Sequence, residues 1–266
     1  MHSKTLHNKR VHPNQPEVIV PDALKLPIKL ANRNRPITWL AGVSIVLIVC
    51  LIFLPIDIRS FFWNSLQSQS IPVSMLLIFS LVSISLVWSA SQRLDSWVFL
   101  TFNLRGPRPH WLDRIMLGFT QLGNGFTTLG FAVFLLLASE RILAYQLILG
   151  TLTLWLAVML VKAIVRRPRP YISLTQARIV GYRARGRSFP SGHTSQSFFI
   201  ATLMVQHFHT NVWVAILLYA IALLVGLTRM YVGAHYPRDV LAGAILGCAW
   251  GLLGAIVEGF ALIRTG

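Results

Sequence analysis

Carboxylates are scarce in this sequence. Its 266 residues hold eight Asp or Glu against 24 Lys or Arg, for a formal charge of +16. Between Glu140 and Glu258 the only acidic residue is Asp239. A two-metal hydrolytic centre needs several carboxylates or histidines around its ions, and this stretch cannot supply them. Cysteine is scarcer still. Cys50 and Cys248 lie far apart, each inside an apolar run, with no CxxC or metal-ligand spacing. Both read as packed thiols. A cysteine phosphatase, which needs a thiolate beside its anion-binding groups, is excluded because Cys248 lies away from every polar cluster described below.

Charge of either sign is also sparse, at 12% of residues, while 55% are hydrophobic and the mean hydropathy is +0.62. So few charges cannot solvate a globular surface of this size, which makes lipid the expected solvent. In that setting the positive excess suits anionic lipid head groups or a phosphorylated substrate better than nucleic acid. Residues 1–37 are polar and carry seven Lys or Arg, with prolines and asparagines breaking any helical period. They read as a basic, disordered tail and not as a signal peptide, whose basic region is far shorter. Seven apolar stretches follow, near 38–56, 71–91, 117–138, 143–165, 192–209, 212–230 and 238–263. A helix needs ~20 residues to cross the hydrocarbon core, and backbone groups in lipid must pair within their own segment. The expected fold is therefore an all-α polytopic transmembrane bundle of about six to seven spans, occupying 38–264, with no soluble second domain. Gly123, Asn124 and Gly125 interrupt the third stretch, and Trp111-Leu112-Asp113-Arg114 before it reads as an interfacial helix start. Gly243, Gly247 and Gly251 form a smooth stripe on the last span. Packing inside the bundle is the preferred reading of that stripe, with a homodimer through this face as the alternative.

Three polar clusters punctuate the C-terminal half: KAIVRRPRP (Lys162 to Pro170), PSGH (Pro190 to His193) and TRMYVGAHYPRD (Thr228 to Asp239). Two spans separate the second cluster from the third, and one loop joins the first to the second. All three therefore lie on one membrane face. Together they offer Lys162, Arg169 and Arg229 as fixed cations suited to a phosphate. Ser191 and Gly192 open a span, where unpaired N–H groups and the positive end of the helix dipole favour an anion. His193 and His235 add two imidazoles; one can attack phosphorus while the other protonates a leaving oxygen. Asp239, four residues after His235, is the carboxylate suited to fix an attacking imidazole in one tautomer.

These clusters fit K-x6-R-P, P-S-G-H and S-R-x5-H-x3-D, the last with Thr228 in place of serine. In this the chain resembles the type 2 phosphatidic acid phosphatase superfamily, which also includes vanadium haloperoxidases. The match covers roughly residues 98–260. The resemblance implies that His235 is the nucleophile, Asp239 its orienting partner and His193 the general acid. Lys162, Arg169, Ser191, Gly192 and Arg229 would hold the phosphate. It further implies an integral membrane phosphatase that uses no metal or other cofactor and forms a phosphohistidine. Its substrate would be a lipid phosphate or diphosphate of the phosphatidic acid, phosphatidylglycerophosphate or polyprenyl diphosphate class.

Two other functions share the sequence. One is phosphotransfer at the same site to an acceptor other than water. The other is a non-catalytic transport or lipid-binding protein, disfavoured because charges gather at the span edges instead of within the spans. Arg166, Arg167, Arg183, Arg185 and Arg187 read as interfacial residues facing head groups. His207 and His209 read as interfacial histidines on the opposite face, and Pro237 as the first residue of the last helix. The setting is a cell membrane, plasma or inner. With seven spans, 21 of the 24 Lys and Arg share the face of the site. That bias points to the cytoplasm, whereas the resemblance implies an outward-facing site.

Overall fold

The computed structural model describes residues 70–104, 106 and 108–265. The tail, the 38–56 stretch and Cys50 fall outside them. Among the described residues all regular structure is helical: α1 (Ser70–Ser85), α2 (Ser89–Leu104), α3 (His110–Gln121), α4 (Gly125–Leu137), α5 (Arg141–Val165), the short α6 (Pro170–Ser173), α7 (Gly192–His207), α8 (Val212–Tyr231) and α9 (Pro237–Thr265).

The helix boundaries follow from local chemistry. Asn124 caps α4 by accepting from the Phe126 N–H at 3.2 Å, and Asn211 caps α8 by accepting from Val214 N–H at 3.0 Å. Pro237 opens α9, as expected of a proline at a first helical position. Arg166 adopts a left-handed conformation (φ 52°) and ends α5, and Pro168 and Pro170 prevent the helix from resuming in register.

α5 shows how one apolar sequence serves two environments. Leu143, Leu147, Thr151, Leu154 and Val158 recur at helical spacing and are buried. They meet Phe199 and Leu203 of α7 and Leu246 of α9 in the main core. Leu149, Leu152, Leu156 and Leu160 repeat on another face and are exposed. A helix apolar on all sides, with half of them uncovered, is matched to lipid.

Among the described residues three segments are long and apolar enough to cross a membrane: Arg141–Ser173, Val212–Tyr231 and Pro237–Ala255. Two bent pairs, α1 with α2 at 97° and α3 with α4 at 57°, raise the number to five if each pair is one span. The expected 71–91 span is thus a corner between two helices. Polar side chains hold that corner: Ser91 Oγ donates to Ser85 O, and Gln92 Nε2 to Leu86 O, both at 2.6 Å, satisfying carbonyls that a bend in lipid would leave unpaired. The expected 117–138 span likewise breaks at Leu122–Asn124. α7 has 16 residues, or ~24 Å at 1.5 Å each, which is short for a ~30 Å core. It runs inside the bundle, with Thr194, Ser195, Gln196 and Ser197 all buried.

The glycine stripe of α9 lies on α7 of the same chain. A Cβ at Gly243 would stand 2.7 Å from Ser191 O, one at Gly247 would collide with Ser195 O, and one at Gly251 would stand 2.6 Å from Thr202 Cβ. The stripe is therefore filled from within. This is packing inside the bundle, the preferred reading of the stripe.

Candidate active site

The polar clusters converge where α5 ends, α7 begins and α8 turns into α9. The break after α5 sends Arg167 and Arg169 back into the protein, and both are buried. The 174–191 loop then folds over the turn at 232–236. Asn103 of α2 fastens these two segments. Its amide donates to the carbonyls of Arg178, Met230 and Tyr231 at 3.1 to 3.2 Å, and its Oδ1 accepts from Arg178 N–H at 2.7 Å. Gly233 (φ +82°) passes so near Arg178 O that no side chain fits there.

His235 lies in that turn and is 2% exposed. Arg169 Nη1 donates to its Nε2 at 3.1 Å. A guanidinium has no acceptor, so Nε2 carries the lone pair and the ring proton sits on Nδ1. Nδ1 faces Asp239 Oδ2 at 3.6 Å, just beyond hydrogen-bond length. Burial, reinforced by the charges of Arg169 and Arg229, pulls the His235 pKa down to about 3 despite the opposing pull of Asp239. At neutral pH the imidazole is uncharged, with its lone pair aimed at a cation.

That cation is fixed in place. Arg169 also donates to the carbonyls of Gly186 (3.2 Å), Ala234 (3.0 Å) and Arg185 (3.0 Å). Arg229 donates from Nη1 to Thr120 Oγ1 at 2.6 Å, while its buried Nε has no hydrogen-bond partner among the described residues. Lys162 lies within electrostatic reach of Arg169, Arg229 and Asp239, and His193 within reach of Arg229, His235, Lys162 and Arg169. A Cβ on Gly192 would stand 4.0 Å from Lys162 Nζ, so the glycine keeps open the space between that ammonium and the start of α7.

Ser191 is fully buried and binds α9 through its N–H, which donates to Asp239 O at 2.9 Å. Its Oγ accepts from Thr194 Oγ1 at 2.8 Å, leaving the serine hydroxyl proton for a ligand. The first-turn N–H groups of α7 have no intrahelical carbonyls to meet. All eight expected site residues thus gather in one region, a basic and largely buried cluster whose cations and free N–H groups suit a tetrahedral anion. Thr228, the departure from the third motif, points elsewhere: its hydroxyl donates to Val225 O at 2.7 Å.

One expectation is overturned here. Arg167 is not interfacial. Its Nη1 donates to Asp239 Oδ1 at 2.6 Å, its Nη2 is paired with Asp95 Oδ2, and its guanidinium lies 3.9 Å from the centre of the Tyr236 ring. Arg166, Arg183, Arg185 and Arg187 are exposed, as expected. His207 lies 3.9 Å from Glu140, joining the far ends of α7 and α5. Asp95 went unnoticed in the sequence, because nothing local ties an acidic residue of α2 to a cluster beginning at Lys162. Its one signal is rarity, as one of eight carboxylates in the whole sequence.

Comparison with known proteins agrees with this geometry. The PAP2 superfamily profile matches residues 141–259. Phosphatidylglycerophosphatase B of Bacillus subtilis is 31% identical over 204 residues, covering 71% of this chain and 94% of that one. Undecaprenyl-diphosphatase BcrC of the same organism is 32% identical over 97 residues, 36% of this chain and 44% of that one. The crystal structure of a transmembrane PAP2 type phosphatidylglycerolphosphate phosphatase from Bacillus subtilis superposes with a TM-score of 0.63 at 25% identity, covering 71% of this chain and 96% of that one. A near full-length relative, a shared helical fold and three motif clusters gathered around one buried histidine lead to the same conclusion: this chain belongs to the PAP2 superfamily.

Proposed function

We propose that the protein is an integral membrane phosphatase that hydrolyses a lipid phosphate or diphosphate through a phosphohistidine. The observation that carries this reading is the buried, neutral His235, whose Nε2 lone pair meets a guanidinium that three carbonyls hold still. A phosphate drawn to Arg169, Lys162 and Arg229 takes over the Arg169 Nη1 hydrogen bond, which frees the Nε2 lone pair to face phosphorus. Nε2 attacks phosphorus and the bond to the leaving oxygen breaks. His193 gives that oxygen a proton and then takes one from the water that cleaves the P–N bond, releasing phosphate and free His235. Asp239 holds the Nδ1 proton and offsets the charge that grows on the ring. Ser191, Gly192 and the first turn of α7 donate to the phosphate oxygens.

The relatives named for phosphatidylglycerophosphate and undecaprenyl diphosphate support a substrate with a lipid tail. So do the uncovered apolar faces beside the site. The catalytic unit is residues 38–264, with its core at about 98–260; the basic tail at 1–37 takes no part in the chemistry and meets anionic lipids. The cell membrane, plasma or inner, is the assigned setting.

The test is phosphate release by the purified full chain in detergent micelles containing phosphatidic acid, phosphatidylglycerophosphate or a polyprenyl diphosphate, with excess EDTA. Release should persist with at least one of them, and an acid quench should trap an acid-labile phosphoenzyme that His235→Ala cannot form. Silence with all three lipids overturns the substrate class. A rate abolished by EDTA and restored by Mg²⁺ or Zn²⁺ overturns the metal-free mechanism.

A further inference from the structure

A buried chain of charges runs behind His235, and the reaction above does not use most of it. Asp239 Oδ2 faces His235 Nδ1 and accepts from the Tyr236 N–H at 2.9 Å, while Oδ1 is taken by Arg167 at 2.6 Å. The other end of the Arg167 guanidinium is paired with Asp95. Asp95 in turn accepts from the Arg238 N–H at 3.0 Å and lies 3.3 Å from Arg238 Nε. Arg238 Nη1 donates to Ser85 O, Ser85 Oγ and Ser91 Oγ at 2.9 to 3.1 Å, all at the corner between α1 and α2. Two carboxylates thus alternate with two guanidiniums, and Asp95, Arg167 and Asp239 are all buried.

We infer that Arg167, anchored by Asp95, is a positioning residue for the Asp239–His235 pair. An unrestrained carboxylate can present either oxygen, rotate away or accept the ring proton. Arg167 binds one oxygen and Tyr236 N–H shares the other, so Asp239 has one orientation, with Oδ2 toward Nδ1. The positive charge of Arg167 also offsets Asp239, so the carboxylate steers the imidazole without drawing a second proton onto it. Only a planar fork can bridge two carboxylates in this way, and Asp95 prevents the fork from turning. The charged and titratable groups near His235 are Asp239, Arg169 and Arg229, with His193 on the α7 side. Arg167 reaches His235 only through Asp239. The inference rests on the phosphohistidine reading for its kinetic consequences, but not for its effect on His235 itself.

The experiment compares Arg167→Met, Arg167→Lys, Asp95→Asn, Asp239→Asn and the double variant Arg167→Met with Asp239→Asn, each as full chain in detergent micelles. With phosphatidic acid, Arg167→Met should lower kcat ~10²-fold and change KM less than ~3-fold, because the phosphate-holding cations remain. Asp95→Asn should lower kcat by roughly tenfold. The double variant should be no slower than Asp239→Asn alone, since Arg167 acts through that carboxylate. Arg167→Lys should keep its charge beside Asp239 and recover part of the rate.

A second readout needs no turnover. The pKa of His235, followed by 15N NMR of histidine-labelled protein, should rise by about one pH unit or more in Arg167→Met, because Asp239, no longer offset by Arg167, draws a proton onto the ring more strongly. It should stay near the wild-type value in Arg167→Lys, and Arg167→Gln, expected to show the same rise, takes the place of Arg167→Met if that variant does not fold. A double variant that multiplies the two single losses, or a loss seen in KM instead of kcat, overturns the inference. So does an unmoved His235. If the wild type hydrolyses none of the lipids, the phosphatase reading fails while the NMR result still decides the positioning role.

Discussion

Gly243→Ala is the most informative single substitution outside the motifs. A methyl at this position would stand 2.7 Å from Ser191 O and 3.1 Å from Thr194 Cβ, and both belong to the rigid start of α7. An ordinary C···O contact is about 3.3 Å, so α9 must move away from α7 by about 0.6 Å. Overpacking of this kind costs ~1–3 kcal/mol, partly offset by the ~1 kcal/mol that alanine gains over glycine in a helix. Net destabilisation should be modest, near 1 kcal/mol. The effect on rate should be larger. Gly243 lies one turn after Asp239, and the Ser191 N–H to Asp239 O bond spans the same contact. Shifting that seam moves the carboxylate relative to the anion site, and displacements near 1 Å cost ~10²-fold in rate. We expect kcat to fall ten- to a hundredfold, with a drop of a few degrees in melting temperature in detergent. Gly130→Ala, where a Cβ meets nothing within 4 Å, is the control and should leave both unchanged or raise stability slightly. Full activity in Gly243→Ala would refute the close seam. A changed oligomeric state with unchanged kinetics would mean that the stripe serves a second copy after all.

Two further outcomes follow from the histidines. His193→Ala should lose ~10²–10⁴-fold on a lipid phosphate, whose alkoxide needs a proton to leave, and less on an aryl phosphate; parallel rates on both substrates would check this, and equal losses would remove His193 from the acid role. His235 also carries a stability signature. Its folded pKa of about 3 lies below the ordinary value of 6.5, so the unfolded chain binds the extra proton as pH falls below about 6.5. Wild-type protein should therefore lose stability on acidification, with this group contributing up to ~1.4 kcal/mol per pH unit until about pH 3. His235→Asn should flatten the curve of melting temperature against pH between 6.5 and 4; identical curves would contradict the buried neutral state.

The site was legible in the sequence because its chemistry is local. Lys162 and Arg169 share one break, Ser191 to His193 open one helix, and His235 lies one helical turn from Asp239. Rarity helped as well: a lone carboxylate in a basic, apolar stretch needs a partner, and the nearest histidine is indeed beside it. What sequence could not convey depends on direction and distance. Arg166 and Arg167 are neighbours with the same side chain, yet the left-handed residue at 166 turns one outward and the other into the core. The Asp95 link crosses 72 residues and leaves no local pattern. The corner at Ser85–Ser89 was hidden because an apolar run reads alike whether straight or bent. The span count suffered from the same ambiguity, and α7 read as a span although it is short and its polar residues pack against other helices.

The chain of buried charges also has a consequence for how the protein is made. Asp95, Arg167 and Asp239 follow one another at equal intervals of 72 residues. At roughly 5–20 residues per second, each of them leaves the ribosome about 4–14 s after the last. Arg167 can be half neutralised by Asp95 as soon as it enters the membrane, but its second carboxylate comes only with the final helix. A nascent or truncated chain ending before α9 holds an arginine with one partner missing, a state that costs several kcal/mol in a dry interior. Completion of the last span is therefore the event that makes the whole assembly electrically tolerable.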